Sequence, residues 1–181
     1  TTSDKISTIA DQGEPFVGQY SAANGRVAVP LPAGEWIVTG TDLSKASYDN
    51  QIEETMLVNG VGGQVNGYVE IRTPVSASTN GWVKSSLCER SDIHHVFKLS
   101  NTAGGIQDCW GVNHYRMTIT GKVPSYIEQS RDYIVSHKIK SPLNAIAVEY
   151  RFADKTYFVD VKYFFNPEAD GFAPPKIAEW S

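Results

Sequence analysis

The sequence predicts an α+β domain, mostly antiparallel sheet with one principal helix. Three observations carry that reading. Asn-Gly and Gly-Gly steps punctuate the first half at hairpin spacing. A segment near residue 126 has helix-start chemistry. Strict alternation over residues 144–165 describes a closing β-hairpin.

Taken in order, Phe16 to Tyr20 and Arg26 to Val29 flank Asn24-Gly25, a dipeptide suited to the positive φ angles of a tight hairpin turn. Leu31-Pro32-Ala33-Gly34 reads as a turn. Glu35 to Thr41 reads as a strand with Trp36 and Val38 on one face. Ser44 to Gln51 is polar and reads as a loop. Glu53 to Val58 and Gln64 to Thr73 bracket Asn59-Gly60-Val61-Gly62-Gly63, the clearest hairpin in the chain. Its second strand does not alternate strictly, and Asn66-Gly67 within it predicts a bulge. Pro74 to Leu87 is polar around Trp82 and reads as a surface excursion. Ile93 to Leu99 and Val112 to Thr120 are further strands, separated by Ser100 to Gly105.

The helix is predicted over 126–138. Pro124-Ser125-Tyr126-Ile127-Glu128 has the form of a capping box between Ser125 and Glu128. Ile127 and Ile134 share a face with Ser130, Tyr126 and Tyr133 lie beside them, and His137, Lys138 and Lys140 suit the helix C-terminus. Pro142 ends it. In the hairpin at 144–165, Ile146, Val148, Tyr150 and Phe152 point one way and Ala145, Ala147, Glu149 and Arg151 the other. Such a pattern describes a sheet with one buried and one partly wet face.

Residues 1–12 read as a polar stalk, 13–165 as one domain, and 166–181 as a Pro-containing strap that stops short at Trp180 and offers a contact for an assembly partner. At 181 residues, 41% hydrophobic and 20% charged, the chain can build a core, which excludes disorder, collagen and coiled coil. The formal charge of −4 argues against a nucleic-acid binder. No stretch approaches the roughly 20 apolar residues of a membrane helix.

Cys88 and Cys109 are the two cysteines. Paired, they fit an exported protein in an oxidising compartment: periplasm, cell envelope or extracellular space. The chain starts Thr1-Thr2-Ser3 without Met, which reads as removal by processing or by cloning, and it lacks an Asn-x-Ser/Thr sequon, which favours a bacterial envelope source.

The densest chemical vocabulary lies between residues 88 and 115, and three readings compete for it. Cys88, His94 or His95, Cys109 and His114 hold thiolate and imidazole ligands, but without the paired knuckles of structural zinc sites. Cys109, His114, Asn113 and Asp108 hold the atom types of a nucleophilic hydrolase, but without a local signature. In the third reading a Cys88–Cys109 disulfide ties a loop to a strand, Trp110 packs on the bridge, and His95 is half-buried among Ile93, Phe97 and Leu99.

The candidate site residues are therefore Asp92, His94, His95, Asp108, Trp110, Asn113 and His114, with the disulfide reading preferred and no metal or cofactor assigned. Glu53 and Glu54 point to opposite strand faces, and Glu35, Glu70, Glu149 and Asp160 read as isolated acids on a solvated face. No phosphate-binding glycine loop occurs. From Arg116 to Lys140, five basic side chains face two acidic ones, a modest positive patch. The expected function is a non-catalytic exported domain that binds a protein, small molecule or glycan, recognised by the absence of any cleft with converging, shifted titratable groups. The alternative is an exported hydrolase built on His94, Asp108 and His114, with or without a metal.

Overall fold

Glycine turns and alternating strands build one antiparallel sheet, and its last hairpin enters at the centre. The computed structural model describes residues 9–45, 50–117 and 121–172. Among these, eight strands form the sheet: β1 (Pro15–Ala22), β2 (Val27–Lys45), β3 (Gln51–Val61), β4 (Gln64–Pro74), β5 (His95–Asn101), β6 (Gln107–Arg116), β7 (Asn144–Ala153) and β8 (Phe158–Phe165). Their spatial order is β1-β2-β3-β4-β8-β7-β6-β5. The final strand thus joins an N-terminal meander to a second three-stranded block. One helix, α1 (Ser125–Ser136), lies on the sheet. Among the described residues, the predicted mostly antiparallel fold with one principal helix and a C-terminal hairpin is what the chain adopts.

The turn chemistry acts as expected at the second hairpin, where Gly62 and Gly63 take φ of 63° and 78°. Asn59 pairs with Gly67 and Gly60 with Val65, which leaves Asn66 as the extra residue of the predicted bulge. Leu31 to Gly34 is not a turn. β2 runs through it, and the register with β1 jumps from Val17↔Glu35 to Gln19↔Pro30, so these four residues form a wide bulge opposite Gly18. Pro32 inside the bulge and Pro30 at its margin are tolerated because the ladder is interrupted there. Of the predicted loop at 44–51, residues 46–49 lie outside the described chain. So do 118–120 of the predicted strand, 1–8 of the stalk and 173–181 of the strap.

The two faces are covered differently. On one, β1 and the first half of β2 set Tyr20, Val29, Leu31 and Trp36 against Leu57, Val69, Ile71 and Val161. On the other, α1 sets Tyr126 and Ile134 against Met56, Val58, Tyr68 and Phe164. In β7 the buried side is Ala145, Ala147, Glu149 and Arg151, while Ile146 and Phe152 are exposed. The helix begins without the capping box. Pro124 holds the N-cap position, the Glu128 amide donates to the Pro124 carbonyl, and Ser125 accepts from Gln129 instead. It ends before Lys138, whose φ is 55°, four residues ahead of Pro142. His137 bonds the Tyr133 carbonyl at 2.8 Å, as a basic residue at that end should.

The helix is seated by a defect in β2. Val38 pairs with Leu57 and Gly40 with Met56, so Thr39 is an extra residue. Its hydroxyl meets that of Ser130 on α1 at 2.7 Å. Gly40 then lies under the helix, where an added Cβ would fall 1.9 Å from the Tyr126 carbonyl oxygen. Gly40→Ala is expected to lift α1 and lower stability by about 2 kcal/mol. Urea unfolding checks it, and an unchanged midpoint would contradict this seating.

Candidate functional site

The sheet register builds the site. Cross-strand neighbours on the helix face are Glu54↔Arg72↔Asp160↔Arg151 in one row and Met56↔Glu70↔Lys162↔Glu149 in the next. Of the acids read from the sequence as isolated, Glu70, Glu149 and Asp160 therefore stand beside bases in the middle of the sheet, while Glu35 pairs with Val17 at the β1 side. Arg72 donates to Glu54 at 2.8 Å, and Arg151 donates to Asp160 at 2.9 Å and to Gln107 at 3.0 Å. Lys162 lies 3.5 Å from Glu70, and Arg90 lies 3.5 Å from Glu149. Tyr115 donates to Glu149, and Tyr126 donates to Glu70 at 2.6 Å.

Above these rows lies a cleft made of two adjoining pockets that share lining side chains. The polar end, about 220 Å³, is walled by the Ser85–Arg90 segment and floored by the charged rows. The apolar end, about 520 Å³, runs under α1 among Met56, Tyr68, Ile127, Ile134, Ile139 and Phe164. Glu70, Tyr115 and Lys162 line both. A cavity of this size, mostly apolar with a few converging polar groups, has the form of a small-molecule site.

A cleft with converging, shifted groups therefore exists, contrary to the sequence expectation. The direction of the shifts is informative. Burial works against the Lys162 charge, but Glu70 and Glu149 outweigh it and hold the ammonium above the ordinary lysine range. Burial first, then the Glu149 hydrogen bond, pushes the Tyr115 phenol up. Burial, then the Glu70 charge, pushes Tyr126 up as well. Burial also raises Asp160, against the pull of Arg151, Arg72 and Lys162. The lysine and both tyrosines thus move away from neutral pH, and each keeps its ordinary protonation state there.

The polar wall is held by the disulfide. Cys88, in a single 3-10 turn (Leu87–Glu89), is bonded to Cys109 on β6, and both are buried. Leu87 and Ile93 pack on the bridge. Trp110 does not. Neighbouring residues on a strand face opposite ways, so Trp110 turns to the far side of the sheet and stacks on Phe97 at 6.2 Å and near His95 at 5.0 Å.

The sequence candidates do not converge in this cleft. Asp92 binds Arg90 at 2.9 and 3.0 Å. His94 and His114 bond each other at 2.7 Å. His95 is exposed rather than half-buried, because Phe97 and Leu99 beside it are exposed too. Asp108 bonds Tyr150, and Asn113 pairs in register with Ala147. Both sulfurs being bridged, the described chain has no free thiol to act as nucleophile. Among the described residues, no three His, Cys, Asp or Glu side chains gather as a metal-holding group. Glu70, Arg90, Tyr115, Glu149 and Lys162, which do line the cleft, are not among the sequence candidates. The only sequence trace of them is the polar file Glu149, Arg151, Asp160 and Lys162 inside an otherwise apolar hairpin.

Glu53 and Glu54 do point to opposite faces. Glu53 is buried on the far side, accepting from Tyr20 at 2.9 Å and from the Ala23 amide at 2.8 Å. Burial pushes its carboxyl above the ordinary glutamate range, and those hydrogen bonds offset only part of it. An acid whose folded pKa is raised binds more protons folded than unfolded. Its contribution to stability therefore falls as pH rises from the unfolded value near 4.5 through the folded value. Glu53→Gln removes this slope. Relative to the parent, the variant is expected to gain stability between pH 4.5 and pH 7, checked by thermal melts across that range. A constant difference would contradict the assignment.

Among the described residues no helix is long and apolar enough to cross a membrane. No protein-family model matches the chain, and neither a curated protein nor a solved structure does.

Proposed function

We propose that the chain is a non-catalytic binding domain of an exported protein, and that it holds a small ligand in the cleft between α1 and the sheet. The observation that carries this reading is the apolar cavity of about 520 Å³ joined to a polar floor at Glu70, Tyr115 and Lys162. Binding without turnover is supported by the state of that floor. Its acids are met by neighbouring bases or phenols, and its lysine and tyrosines are displaced away from the pH at which they would trade protons. Export is supported by the buried disulfide, which persists in oxidising compartments.

An uncharged solvatochromic dye such as Nile red tests the site. The protein is expected to bind it with a blue shift, and Ile127→Trp, which fills the cavity from α1, is expected to abolish the shift with the fold retained by circular dichroism. No blue shift with the parent protein, or an equal one with the variant, would contradict the reading.

A further inference from the structure

The charge around the cavity mouth points to the ligand's class. The apolar end is lined by Arg116, Arg131 and Lys162 against a single acid, Glu70. Lys162 is taken up by Glu70, and Arg131 is shared with Glu128 at 3.3 Å and Asp132 at 3.6 Å on its own helix. Arg116 is exposed at the end of β6, where its backbone pairs in register with Asn144, and its guanidinium has no hydrogen bond or ion pair among the described residues. Two of the five bases read from the sequence over Arg116 to Lys140, Arg116 and Arg131, thus border an apolar cavity. An uncharged ligand would leave the Arg116 charge unused, and a cationic one would be repelled.

Resting on the cleft as the binding site, we infer that the ligand is an anionic amphiphile. Its hydrocarbon part lies under α1 among Ile127, Ile134, Ile139 and Phe164, and its anionic head meets Arg116 at the rim. A carboxylate and a phosphate monoester share this chemistry. Each methylene added to the tail is expected to tighten binding about fourfold until the cavity is filled. The head contributes a salt-sensitive increment, because the pair is at the surface.

Isothermal titration with the whole chain, below micelle-forming concentrations, tests this with decanoate, decyl phosphate, decanol and decyltrimethylammonium. The two anions are expected to bind more tightly than the alcohol, and the cation most weakly. The stronger anion identifies the head. Arg116→Gln is expected to weaken both anions at least fivefold and to leave decanol within twofold. Equal binding of decanoate and decyltrimethylammonium, or an Arg116→Gln variant that binds the anions unchanged, would overturn the anionic head while decanol binding keeps the cleft. Failure of all four probes, decanol included, would overturn the cleft as well.

Discussion

Replacing Arg151 with methionine is expected to lower stability by about 3 kcal/mol, which for a chain of this length is a fall of about 10 °C in Tm. The Arg151 side chain is 7% exposed and that of Asp160 is 26% exposed. The guanidinium donates to Asp160 and Gln107 and lies 4.1 Å from the centre of the Phe158 ring. Methionine keeps much of the packing but leaves a largely buried carboxylate with one base fewer. The cost sits at the lower end for a broken buried pair because Asp160 retains some water and lies near Arg72 and Lys162. Burial already raises the Asp160 pKa, and loss of Arg151 raises it further. The deficit is therefore smallest in acid, where Asp160 is protonated in both states, and grows as pH rises above its unfolded value near 3.9. Arg151→Met with Asp160→Leu is expected to recover most of the loss, since removing both charges removes the unpaired one. Thermal melts of the three proteins check this, and equal Tm values would contradict it.

Reduction of the disulfide is the second large effect. Cys88 and Cys109 are 21 positions apart, and a closed loop of that size corresponds to about 3 kcal/mol of chain entropy. The loss is expected to centre on the polar wall of the cleft. Without the bridge, the Ser85–Arg90 segment keeps the small apolar contacts of Leu87 and Ile93 and the hydrogen bonds of Ser85 with Asn101. Reductant is expected to lower Tm by about 10 °C and to hasten tryptic cleavage after Lys84 and Arg90. A Tm and cleavage pattern indifferent to reductant would contradict a structural bridge.

What was legible in the sequence follows from how local each signal is. Gly62-Gly63, the Asn66 bulge, α1 and the β7–β8 hairpin depend on neighbouring residues, and their chemistry is visible in the chain order. The course of β2 departs from its local signals because Pro32 and Gly34 are turn residues by composition, while here they occupy a bulge made by the register with β1. The capping box failed because Pro124 fixed the backbone at the position Ser125 would have needed. The cleft was invisible for a stronger reason. Glu70, Lys162 and Glu149 become neighbours only because β8 inserts between β4 and β7, and nothing local announces that order. Conversely, the His- and Cys-rich segment is dense in chemistry by composition, yet it supplies a disulfide, a histidine pair at the surface and the Arg90 wall.

The helix-and-sheet cleft is the centre of the account, and amide chemical-shift mapping during a titration with decanol and then decanoate tests it most directly. The expected perturbations gather at Tyr68, Tyr115, Ile127, Ile134, Ile139 and Phe164, with Arg116 joining for decanoate. Perturbations confined to Phe97, Trp110 and Phe152 on the opposite face, or none at all, would contradict it.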